Sequence, residues 1–124
     1  MLEIYYYCQN TGDFVATEQS TANFIVDQLA SLDGVSARKM FGEYALYFDG
    51  KVVGLICDNT LFIKITDTGK SFIGKYYKEG FAYPKAKPSM VIDEERIEDR
   101  QWLCDLIELT SANLPTPKPK KRKL

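Results

Sequence analysis

Between residues 38 and 66 the hydrophobic pattern changes from helix-like spacing to alternation, and two short polar dipeptides divide the alternating stretch. Residues 44–48 and Lys51–Cys57 flank Asp49-Gly50, and residues 60–65 follow Asp58-Asn59. A two-residue type I′ turn needs φ > 0 at both central positions. Asp-Gly between alternating runs therefore predicts a tight hairpin, and Asp58-Asn59 is a second, weaker signal of the same kind. With a short strand over Val35–Met40, the segment predicts an antiparallel meander. Gly42 and Gly54 each interrupt a strand pattern, which points to a bulge or a close backbone approach.

Helical spacing returns on both sides. From residue 20, with Ser20 or Thr21 as cap, Phe24, Ile25, Leu29 and Leu32 fall on one face, and Asp33-Gly34 ends the helix. Thr66-Asp67 opens a shorter helix carrying Phe72, Ile73, Tyr76 and Tyr77. Gly69 and Gly74 each weaken it by about 1 kcal/mol relative to alanine, so packing must hold it. Residues 79–83 and Ser89–Ile92 read as two more strands around the basic loop Pro84-Lys85-Ala86-Lys87-Pro88. Asp93, Glu94, Glu95, Glu98 and Asp99 then place negative charge where the last helix begins, as its dipole favours. That helix carries Trp102, Leu103, Leu106, Ile107 and Thr110 and ends near Asn113, before three prolines between positions 115 and 119. The order α-β-β-β-β-α-β-β-α predicts a two-layer α+β domain, an antiparallel sheet with helices packed on it.

Length and composition limit what else the chain can be. Its 124 residues, 45 % apolar, make one domain with an adequate core, over residues 20–113. Residues 1–19 read as a leader outside the domain. Three consecutive tyrosines and an early cysteine lead into no periodic element, and Val15, as a GTG start, is the expected initiator. The alternative is an added strand at residues 4–7. No apolar run approaches the roughly 20 residues of a membrane span, and the N-terminus lacks signal-peptide features, so a cytoplasmic protein without membrane association is expected. Cys8, Cys57 and Cys104 form no CxxC pair and suit a reducing compartment, the last two as small buried hydrophobes. The chain has no histidine, which removes the commonest general base near neutral pH and every His-containing metal site. Five of the sixteen basic residues lie in the last seven positions. Residues 1–117 hold eleven basic against seventeen acidic side chains, a net charge of −6. The body should repel nucleic acid while the tail, residues 114–124, would attract it.

The strings Arg38-Lys-Met-Phe-Gly-Glu-Tyr-Ala-Leu-Tyr-Phe-Asp-Gly-Lys51, Asp58-Asn-Thr-Leu-Phe-Ile-Lys64 and Phe81-Ala-Tyr-Pro84 with Lys87-Pro88 resemble the N-terminal domain of the TfoX/Sxy family. These are bacterial proteins linked to regulation of competence for DNA uptake. The resemblance covers about residues 20–113, and the Pro-Lys-Pro-Lys-Lys-Arg-Lys ending is similar to that of short, stand-alone members. It implies a secretion-chaperone-like two-layer fold that often associates as dimers. Two departures matter. Full-length regulators carry a second, helical domain, and this chain stops before one could begin. Where many members have two glycines after Met-Phe, this chain has Gly42-Glu43.

The candidate chemistry is that of binding. Arg38, Lys64 and Lys87 are basic positions of the family pattern and, with Tyr44 and Tyr83, would contact an anion or peptide if the sheet brings them to one face. The bland alternative is an outward lysine whose stem covers apolar surface. Alternation puts Phe62 and Lys64 opposite Leu61, Ile63 and Ile65. Lys118, Lys120, Lys121, Arg122 and Lys123 are the nucleic-acid contacts expected of the tail. The carboxylates at 93–99 are better explained as helix-terminus charge than as an acid/base or metal cluster, and no Gly-rich phosphate loop, HExxH or GxSxG occurs. No catalytic residue, cofactor or metal is expected. Leu46 and Phe48 alternate with Ala45 and Tyr47, and Val52 and Ile56 with Val53, Leu55 and Cys57, so both sides of these strands are apolar. A sheet buried on both faces predicts a homodimer, unless the final helix and tail cross the open face. The expected protein is a non-enzymatic, dimeric interaction module with an unknown protein partner. Weak nucleic-acid binding through the tail is the alternative, and an enzyme comes third.

Overall fold

The computed structural model of the chain describes residues 17–115. The expected start at Val15, the strand reading of residues 4–7 and the five basic tail positions lie outside the described residues. The elements run α1 (Gln19–Gln28), β1 (Val35–Met40), β2 (Glu43–Phe48), β3 (Lys51–Cys57), β4 (Thr60–Ile63), α2 (Asp67–Ile73), a 3-10 turn (Gly74–Tyr76), β5 (Glu79–Gly80), β6 (Ser89–Ile92), α3 (Glu94–Ile97) and α4 (Arg100–Ala112). The strands form one antiparallel sheet in the order β1-β2-β3-β4-β6-β5. This is the α+β architecture the pattern predicts, with a short extra helix ahead of the last one.

Three two-residue turns fold the meander, each with positive φ at both residues: Phe41-Gly42 (53° and 83°), Asp49-Gly50 (55° and 79°) and Asp58-Asn59 (52° and 57°). Gly42 therefore belongs to a hairpin turn, since Met40 pairs with Glu43 across it, and does not interrupt a strand. Gly54 does mark a close approach: a Cβ there would lie 2.2 Å from the Phe62 carbonyl oxygen. The register shifts beside it, with Leu46 opposite Gly54 and Tyr47 opposite Val52. This bulge breaks the strict alternation and places Val53 with Ile56 in the helix-side core, away from Leu55 and Cys57.

The helices cover one face of the sheet. Tyr44, Leu46, Val53, Ile56, Leu61, Ile63, Met90 and Ile92 meet Ile25, Ile73, Leu103, Leu106 and Ile107 there. Fully burying each large aliphatic side chain contributes about 1.5–3 kcal/mol. Thr66 caps α2, accepting from the Gly69 amide at 3.0 Å, and Asp99 caps α4, accepting from the Trp102 amide at 3.1 Å. Lys51 Nζ closes the other end of α4, donating to the Ser111 and Leu114 carbonyls at 2.8 and 3.2 Å.

Helix α1 departs from expectation in three ways. It begins at Gln19, and neither Ser20 nor Thr21 caps it. Asn59 serves instead, its Oδ1 accepting from the Glu18 amide and the Thr21 hydroxyl, each at 2.9 Å, so a turn 41 residues away closes the helix start. Phe24 is 46 % exposed while Ile25 and Leu29 are buried, and the helix stops at Gln28. Elsewhere, Gly74 at φ 57° ends α2 before Tyr76 and Tyr77. The strand expected over 79–83 shrinks to Glu79–Gly80, after which the chain leaves the sheet edge.

Candidate functional site

The face of the sheet opposite the helices is lined by apolar side chains that alternation sends away from the main core. Cys57 and Phe62, with Leu55 and Val91 beside them, form a second, small cluster. The loop 81–88 folds onto it through Ala82 and Tyr83. This loop, not the final helix, provides the cover on that side.

Pro84 and Lys85 sit at the corners of the loop's turn, where the Ala86 amide donates to the Tyr83 carbonyl at 3.0 Å. Lys85 has φ 70°. Proline in the first corner and positive φ in the second make a type II turn, whose second corner favours glycine. An L-residue held there costs about 1–2 kcal/mol. Under the loop lies a cavity of about 500 Å³, lined by Lys64, Lys85 and Lys87 with Tyr83, Ser89 and apolar neighbours that include Leu55 and Leu114.

Of the five positions expected to contact an anion or peptide, Lys64, Tyr83 and Lys87 line this one cavity. Arg38 lies on β1 at the far edge of the sheet, its guanidinium 5.2 Å from the centre of the Tyr47 ring. Tyr44 is 7 % exposed and packs in the helix-side core. Lys85 was not among the expected contacts. The signal for it is the Pro-Lys corner in a loop too short to bury its charge.

At the other end of this face the Phe41-Gly42 turn holds Phe41 60 % exposed beside exposed Met40. Both border a narrow cleft that Tyr44, Leu55, Cys57 and Tyr83 also line, so Tyr44 and Tyr83 meet there. Glu43 reaches the same cleft and is only 5 % exposed. One carboxylate oxygen accepts from the Thr17 hydroxyl and, at 3.1 Å, from the Asp58 amide. The other has no partner among the described residues. The Asp58 carboxyl is raised from 3.8, chiefly by partial burial and secondly by the Glu43 carboxylate. Among the described residues no group of three or more His, Cys, Asp or Glu is placed to hold a metal ion, and no helix is long and apolar enough to cross a membrane.

The chain is thus a two-layer α+β domain with one helix-covered face and one loop-covered face carrying lysines and exposed aromatics. The TfoX N-terminal domain matches residues 27–114, and the chain belongs to that family. It is 45 % identical over 109 residues to an uncharacterized 12.7 kDa protein in the trpE 5′ region of Spirochaeta aurantia, covering 88 % of this chain and 93 % of that protein. Protein Sxy of Escherichia coli (strain K12) is 24 % identical over 76 residues, 61 % of this chain but 36 % of Sxy. The chain thus spans about a third of Sxy's length.

Proposed function

We propose that this chain is a non-enzymatic interaction module of the TfoX/Sxy type, working through protein contacts in the regulation of transcription or of competence for DNA uptake. Its first partner is a second copy of itself. The observation that carries this reading is the Phe41-Gly42 turn. A phenylalanine in the left-handed region costs stability, and its ring gains little burial within the domain in return. A partner's apolar surface would supply that burial. Capture from native lysate with the full chain and with Phe41→Asn, read by mass spectrometry, tests the module. A protein retained by the former and lost by the latter is the expected result. The same captured set from both would overturn the reading.

Five positive charges in the last seven residues favour a second reading, weak nucleic-acid binding through the tail. Up to five phosphate contacts on a single strand predict a salt slope of about −3.5, at roughly −0.7 per contact. Binding unchanged by deletion of residues 118–124 would exclude it.

A further inference from the structure

The lysine-lined cavity on the loop-covered face runs against the charge of the domain around it. Residues 17–115 carry eleven basic and fifteen acidic side chains, a net charge of −4. No carboxylate among the described residues lines the cavity, yet Lys64, Lys85 and Lys87 all do. Among the described residues none of the three has an ion-pair partner. The ion pairs found there join Lys78 to Asp93 and Arg100 to Asp27. The three lysines are exposed; like charges lining one concave site repel one another, and an anion placed among them would relieve that repulsion.

Lys85 adds an independent observation. Its corner of the turn is one where glycine would sit without strain, and the lysine stands there at φ 70°. Backbone strain of this kind, seen at the mouth of a cavity, is a pointer to a bound ligand. The remaining lining is apolar or neutral. Leu55 and Leu114 supply apolar lining, Tyr83 an aromatic residue and Ser89 a neutral polar one.

We propose that this cavity binds a compact amphipathic anion, a phosphate or carboxylate head on an apolar body. The head sits among Lys64, Lys85 and Lys87, and the body lies against Leu55, Tyr83 and Leu114. The volume of about 500 Å³ falls within the roughly 300–1,000 Å³ of small-molecule sites. The acidic surface beyond the cavity disfavours an extended polyanion, so the ligand is of about nucleotide size or smaller. This site does not depend on self-association.

Calorimetric titration of the full chain with adenosine monophosphate and with octanoate tests the proposal, with adenosine and octanol as neutral counterparts. At least one anion should saturate with Kd below about 1 mM, and its neutral counterpart should bind at least about tenfold more weakly. Saturation by adenosine monophosphate assigns the head as phosphate, and saturation by octanoate assigns it as carboxylate. Lys85→Gly relieves the strained corner and removes one cation. It should hold or raise Tm while weakening binding by at least about fivefold, whereas Lys75→Ala, outside the cavity, should leave binding unchanged. Failure of both anions to saturate would overturn the site. So would binding that is indifferent to Lys85→Gly and to the Lys64→Ala/Lys87→Ala pair.

Discussion

At Gly54 the sheet has no room for any side chain. A Cβ would meet the Phe62 carbonyl oxygen at 2.2 Å and Ile63 Cδ1 at 2.9 Å, and the first of these is backbone that cannot rotate away. Gly54→Ala should therefore cost about 3 kcal/mol or more, read as a lowered urea midpoint. A loss under about 1 kcal/mol would show that β3 and β4 can separate there. Asp58 is governed by burial and by charge instead. Its carboxyl is raised from 3.8 by burial first and by Glu43 second. The folded state holds this proton more tightly than the unfolded chain, so the group costs stability as pH rises from about 3.8 through the folded value, and the cost is complete above it. Glu43→Gln removes only the second cause. The Asp58 midpoint in a carboxyl-carbon NMR titration should then fall toward 3.8 without reaching it, and an unmoved midpoint would show that Glu43 is not felt. Residue by residue, the candidate site was half legible. Lys64 on the Phe62 side follows from a period of two, and the same rule places Tyr44 with Leu46 on the covered face. Lys85 was hidden because its position depends on a turn geometry that no periodicity reports.

Elements bounded by turn chemistry were the legible ones. β1, β3 and β6 have the limits read from the sequence because Gly34, Gly50, Asn59 and Asp93 each impose a local break. Elements whose ends depend on distant contacts were not. The start of α1 is closed by Asn59 from another hairpin, and no local cap pattern could announce it. β5 stops at Gly80 because residues 81–88 turn over the sheet to cover Phe62, a tertiary preference that overrides strand propensity. The bulge at Val53 likewise escaped a strict alternation. Where the cap is local, the energetics should be local as well. Asp99 accepts from the Trp102 amide at 3.1 Å, so Asp99→Ala should destabilise by about 1 kcal/mol, with asparagine nearly neutral at that position. The tilted contact of Trp102 with Phe72, 5.5 Å between centroids, gives a local readout. Tryptophan emission should report loosening of the first turn of α4 at lower denaturant than the global transition. Coincident transitions, with no change in midpoint, would show that the cap contributes nothing.

At the scale of the whole molecule, the two faces of the sheet are covered unequally. Four helices bury one face, while a single loop covers part of the other and leaves Met40 and Phe41 exposed. Contiguous apolar surface on a monomer marks a contact site. The β1 edge of the sheet is an unsuitable place for that contact. β1 carries Arg38 and Lys39, both exposed, and charges on an edge strand oppose strand-to-strand pairing. The proposed association is through the face, with the Phe41 turn at its centre. A specific interface buries about 800 Å² on each partner, more than Phe41 and Met40 provide, so the proposed contact needs further surface around the turn. The chain mass is 14.1 kDa. Sedimentation equilibrium at micromolar concentration should give about twice that value, and Phe41→Asn should return it to the monomer. Asparagine accepts positive φ more readily than phenylalanine, so the variant should melt no lower than the parent in its monomeric form. Loss of the dimer then reports loss of contact, not loss of fold. A mass of one chain for the parent protein would overturn the dimer, and a dimer indifferent to Phe41→Asn would move the interface away from this face.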